Sequence, residues 1–153
     1  MTSSENDALL DAVGPAFSKL RRGVLMEVEN PVSAKDMSRS LVLAIVQEGE
    51  REMTVGAVAE RLGVDPSVGS RMVSDCISAG YLSRAASQQD GRRTVLHLTS
   101  EGEAMMTRFR RLQREAFEYI TADWSERERL EFARLMLKYV DAVAGLRHRG
   151  PAS

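Results

Sequence analysis

Ser67, Ser70, Arg71 and Ser74 follow one another at steps of three, one and three, which puts them on one broad side of any helix that carries them. Short hydroxyls beside one long, forked guanidinium make a hydrogen-bonding set suited to the base edges of a DNA major groove, and Val68 lies among them. A second pair of guanidiniums, Arg92 and Arg93, stands in "QQDGRR", where Asp90-Gly91 is a turn signal. At the tip of a hairpin, such arginines reach a backbone phosphate or a minor groove. The chemistry these residues offer is non-covalent recognition of a polyanion.

Covalent chemistry has no comparable set. The chain contains no Gly-x-Ser-x-Gly, no His-Glu-x-x-His, no phosphate loop and no dinucleotide fingerprint. His97, His148 and the single cysteine, Cys76, are too scattered for metal-ligand spacing, so no enzyme, metal or cofactor is expected. Cys76 shares the spacing of Met72 and Val73, which predicts a small core hydrophobe rather than a redox sensor.

Positioning the recognition set requires a scaffold, and 153 residues, 43% hydrophobic and 28% charged, suffice for one domain with a core. The longest apolar run, residues 41–46, is too short to span a bilayer, and the N-terminus lacks the basic and apolar regions of a signal peptide. A cytoplasmic protein with no membrane partner is expected. The net charge of −1 conceals an asymmetry: residues 61–93 hold five arginines against three aspartates, and this locally positive stretch contains the recognition residues.

Apolar residues at helical steps (Leu9, Leu10, Val13, Phe17, Leu20, Val24, Leu25 and Val28) predict a helix over about 7–29, ended by Pro31. Gly14-Pro15 interrupts it as either a kink or a later start. Ser33 and Asp36 form a capping-box pattern before a helix over 34–47, and Thr54 caps a short helix stopped by Gly63. Asp65 caps the next, Pro66 fills its first position, and Gly80 ends it. Thr99, or Ser100 with Glu103, opens a helix through Met105, Phe109, Leu112 and Ile120, and Ser125 with Glu128 opens the last, through Leu130, Leu137 and Ala144.

Two helices joined by a tight turn, the first ending at Gly63 and the second starting at Asp65-Pro66, have the form of a helix-turn-helix. Ala59 is the small residue wanted where the second helix crosses the first. Gly69 stands where a buried valine or isoleucine is usual, and would soften the second helix by about 0.5–1 kcal/mol relative to alanine. Residues 81–85 can pair with 94–98, a short half-buried strand carrying Val95, Leu96 and Leu98. A hairpin directly after a recognition helix is a wing.

The order of elements in "TVGAVAERLGVDPSVGSRMVSDCISAGYLSRAASQQDGRRTVLHLTSEGE" resembles the MarR family of winged-helix regulators. So does D-x-R-x-x-x-L-x-L-T with a glycine three residues on (Asp90, Arg92, Leu96, Leu98, Thr99, Gly102), and "WSERERLEFARLM" is similar to the family's last helix. The resemblance implies a mainly α fold: a winged helix-turn-helix over 34–99 with a two-stranded wing, and terminal helices over 5–30 and 100–147 forming a dimerisation body. It implies that Ser67, Ser70 and Arg71 face the major groove and that Thr54 lies near a phosphate. Arg92 would enter or flank the minor groove, Asp90 would brace Arg92, and Arg93 would meet phosphate. The expected partners are double-stranded DNA, a second copy of the chain, and a small-molecule effector; the expected activity is that of a homodimeric repressor.

The homodimer also follows from the residues, because the terminal segments carry more apolar face than a lone winged domain can cover. Arg108, Arg110, Arg111 and Arg114, with Glu103 and Glu115 on the same long helix, read as its exposed side rather than a second nucleic-acid surface. The rival from another class is a dimeric winged-helix module that binds proteins or small molecules without reading DNA, favoured by the acidic net charge and by Gly69.

Overall fold

The computed structural model describes residues 1–21, 33–49 and 51–148. The elements are α1 (Ser3–Arg21), α2 (Ala34–Glu48), α3 (Val55–Leu62), α4 (Pro66–Ser78), β1 (Leu82–Ala86), β2 (Thr94–Leu98), α5 (Ser100–Ile120) and α6 (Glu126–His148). The chain divides into two compact units, residues 1–114 and 115–153. Among the described residues, no helix is long and apolar enough to cross a membrane.

α1 starts earlier than its apolar pattern suggests. Thr2 and Glu5 form a capping pair, with Thr2 N–H donating to the Glu5 carboxylate at 2.6 Å and Glu5 N–H donating to Thr2 Oγ1 at 3.3 Å. Pro15 lies inside this helix, so a fresh start at Pro15 is excluded. The remainder of the expected first helix, from residue 22 on, and Pro31 lie outside the described residues. In α2, Ser33 Oγ accepts the Asp36 N–H at 3.1 Å as the pattern requires, but the Asp36 carboxylate turns to Arg39 Nη1 at 3.2 Å instead of closing the box.

The helix-turn-helix forms where expected, with two readings corrected. Thr54 Oγ1 accepts the Ala57 N–H at 3.1 Å, and Gly63 takes a left-handed φ of 67° that lets the chain leave α3 with its last carbonyls satisfied. Asp65 occupies the capping position of α4 but makes no side-chain capping bond, Pro66 following it directly. Gly69 is a packing requirement rather than a weakness. A Cβ on it would stand 2.4 Å from Ala59 Cβ and 3.0 Å from Ala59 Cα, so α3 and α4 cross at a glycine-alanine contact that a valine or isoleucine would force apart.

The core of the first unit collects Val42 and Leu43 from α2, Val58 from α3, Val73 and Cys76 from α4, Leu82 and Leu96 from the hairpin, and Met105 and Met106 from α5. Burial of such side chains supplies about 1.5–3 kcal/mol each. Cys76 is fully buried, and burial, helped by the charge of Asp75, pushes its thiol up to about 11. Arg39 ties α2 to α4 beside it: Nε donates to Asp75 Oδ2 at 2.7 Å, Nη2 donates to Asp75 Oδ1 at 3.3 Å, and the guanidinium lies 5.8 Å from the centre of the Tyr81 ring.

The strands pair antiparallel with Leu82 opposite Leu98 and Ala86 opposite Thr94. β1 begins one residue later than expected: the Tyr81 N–H closes α4 on the Cys76 carbonyl, while its carbonyl accepts the N–H of Thr99, the residue facing it, at 3.0 Å. A third segment joins the sheet that periodicity does not reveal, since Leu96 N–H donates to the Met53 carbonyl at 2.8 Å. Thr99 rather than Ser100 caps α5, its Oγ1 accepting the Gly102 N–H at 3.1 Å and donating to the Gly80 carbonyl at 2.5 Å. In the second unit the Ser125-Glu128 capping box is complete, and Phe132 of α6 stacks on Phe117 at 6.0 Å and meets Trp124 edge-on at 5.4 Å.

Candidate nucleic-acid interface

α4 has two unlike sides. Gly69, Val73 and Cys76 are buried, while Ser67, Ser70, Arg71 and Ser74 are exposed on the side that the spacing assigned to recognition. Val68 is half-buried and so belongs partly to the packing. Pro66 lacks an N–H, but those of the following residues crown a helix start that favours a negative charge. Thr54 is half-buried and its hydroxyl already caps α3, which leaves an oxygen at a helix start rather than a free side chain.

The wing tip is organised by its own main chain. Ser87 N–H donates to the Arg93 carbonyl at 2.8 Å, and Arg93 N–H donates to the Asp90 carbonyl at 2.9 Å, closing the 87–93 loop. Asp90 does brace Arg92, but at the backbone: its Oδ1 accepts the Arg92 N–H at 3.1 Å. The carboxylate holds the turn, and the Arg92 and Arg93 side chains stand exposed beyond it. Gly102 of the D-x-R motif has a separate role, because a Cβ there would lie 2.2 Å from the Tyr81 carbonyl oxygen.

Two residues that pattern reading passed over complete the wing. Glu52, read only as part of the polar connection "EGERE", receives the Ser87 hydroxyl on Oε2 and the Gln88 N–H on Oε1 at 2.8 Å. Ser87, only 6% exposed, accepts the Gln89 and Asp90 N–H groups on Oγ at 3.1 and 3.0 Å. These donors, first Ser87 and then Gln88, with lesser help from Arg93 and His97, hold the Glu52 carboxyl below its ordinary value. The only advance signal was an acidic residue ahead of the buried Met53, and a contact across some 35 positions leaves no periodicity. Glu52, Met53, Leu96, His97 and Gln47 also line a cavity of about 390 Å3.

The MarR family profile matches residues 34–93, the span from α2 to the wing tip. An HTH-type transcriptional regulator of Mycobacterium bovis is 33% identical over 141 residues, covering 90% of this chain and 96% of its own length. This chain belongs to the MarR family. As a MarR-family protein it is a transcriptional regulator built on a DNA-binding winged helix, in a family of regulators rather than enzymes. Solved structures show the same fold for the MarR-family chain. The YusO protein of Bacillus subtilis is 21% identical with a TM-score of 0.61, covering 93% of this chain and 99% of its own. The PcaV transcriptional regulator of Streptomyces coelicolor, solved with its natural ligand, is 26% identical with a TM-score of 0.59, covering 88% and 96%.

Proposed function

We propose that this MarR-family regulator acts as a homodimeric repressor that reads a pseudo-palindromic operator, residues 34–99 docking on DNA and residues 5–30 and 100–147 making the dimer. The observation that carries this reading is the two-sided α4, buried through Gly69, Val73 and Cys76 and exposed through Ser67, Ser70, Arg71 and Ser74, followed directly by a wing whose arginines stand clear of a braced turn. Arg71 and the serines meet base edges, Val68 contributes part of that face, Arg92 takes the minor groove, and Arg93 and Thr54 lie at phosphates. The dimer is supported by apolar side chains left exposed in each unit: Leu9, Leu10 and Leu20 on α1, and Leu130, Leu137, Val140 and Leu146 on α6.

A two-fold dimer sets half-site centres about one helical turn apart, roughly 34–36 Å. Repression follows from occluding a promoter. A small effector would act by favouring a dimer geometry that no longer matches the operator. A gel-shift titration against the intergenic DNA upstream of the protein's own gene tests the reading. Salt-sensitive binding of one dimer to a palindrome is the expected result. Binding no tighter than to random duplex would overturn it and favour a winged-helix module that does not read DNA.

A further inference from the structure

We propose that Glu52 is a positioning residue for the wing: by taking the Ser87 hydroxyl and the Gln88 N–H together, its carboxylate fixes the base of the 87–93 loop and thereby the place of Arg92. The inference rests on the reading of Arg92 as a DNA contact and adds to it a residue outside both the helix-turn-helix and the hairpin.

The argument is one of donors and acceptors. Ser87 Oγ already accepts two main-chain N–H groups, from Gln89 and Asp90, which uses both of its lone pairs. Its proton remains to donate, and with Ser87 only 6% exposed it goes to a protein acceptor outside the loop, Glu52 Oε2. The neighbouring Gln88 N–H needs one as well. Only a carboxylate supplies two acceptor oxygens and no donor, and Glu52 places one on each group. The backbone under Glu52 is itself fixed, since the carbonyl of the buried Met53 accepts the Leu96 N–H of β2.

From that base the bonds run outward without a gap: Ser87 holds the Gln89 and Asp90 N–H groups, and Asp90 holds those of Arg92 and Arg93. Glu52 is the end of this chain that lies outside the loop. A tip ordered before DNA arrives loses less conformational freedom on docking, which raises affinity without any contact between Glu52 and DNA.

Glu52→Gln keeps the size of the side chain but sets an NH2 against one of the two donors. In the full-length protein, tryptic cleavage after Arg92 and Arg93 is expected to quicken severalfold, with cleavage inside the helices unchanged. Affinity for the duplex that the wild-type protein selects from a randomised pool is expected to fall about tenfold. In an Arg92→Ala background the loss caused by the same substitution should shrink, because only Arg93 then remains on the loop that Glu52 holds. Ser87→Ala, which removes the other end of the bond, should reproduce both effects.

Unchanged wing proteolysis in Glu52→Gln, or an equal loss of affinity with and without Arg92, would overturn the proposal and leave Glu52 a general stabiliser. Failure of the wild-type protein to select any duplex would overturn the DNA reading itself, a result distinct from wild-type binding that Glu52→Gln leaves intact.

Discussion

Arg71 and Arg92 are both exposed guanidiniums, yet they stand on unlike supports. Arg71 projects from a rigid helix whose opposite side is buried, a placement that suits reading one base edge. Arg71→Ala is expected to cost about 1–3 kcal/mol of operator binding and to relax base preference at one position of each half-site. Competition between operators substituted at each position would measure this, and a uniform loss across sequences would reassign Arg71 to phosphate. Arg92 owes its position to a turn, through the Asp90 carboxylate on its main-chain N–H. Spacing alone could place Arg71 on a helix and Arg92 in the turn of a hairpin. It could not show that Asp90 acts on the backbone rather than on the guanidinium, because D-x-R has the same spelling in either case.

At the scale of elements, the caps and stops were legible, since Thr54, Gly63, Ser125 and Glu128 act on neighbours three or four residues away. What could not be read depends on contacts distant in sequence. Gly69 looks like a defect until Ala59 is seen 2.4 Å from where its Cβ would be. Gly69→Ala is accordingly expected to destabilise the protein by about 1–2 kcal/mol, overpacking outweighing a gain of about 1 kcal/mol in helix propensity. The urea midpoint reports this, and a raised midpoint would refute the close approach. Arg39 and Asp75 were equally invisible, lying 36 positions apart. The hydrogen bond from Arg39, its charge and that of Lys35 hold the Asp75 carboxyl below its ordinary value against the opposing effect of burial. A depressed carboxyl contributes stability that is present above the unfolded-state value, near pH 4, and is lost as pH falls through the folded-state value. With the Asp75 side chain 38% exposed, solvent screening limits this to about 1 kcal/mol. Asp75→Asn should therefore lower Tm at pH 7 by about 2–4 °C and flatten its fall in acid. An unaltered acid limb would show that the pair contributes nothing.

For the whole molecule, the proposed dimer would draw on α6, whose exposed apolar residues are not confined to one stripe: Leu130 and Leu137 lie on one side, and Leu135, Tyr139 and Leu146 on others. Leu137, 66% exposed, is a suitable site for a charge, because little in its own unit depends on it. Leu137→Glu is expected to halve the mass seen by sedimentation and to abolish operator binding; a dimer that persisted would remove α6 from the interface. A helix apolar on several sides has a further consequence. Where folding and association are one equilibrium, stability becomes a function of protein concentration, and Tm rises as the solution is made more concentrated. Promoter occupancy would then follow the square of the amount of chain at low abundance, so a modest fall in synthesis would release the promoter abruptly, as a threshold set by mass action.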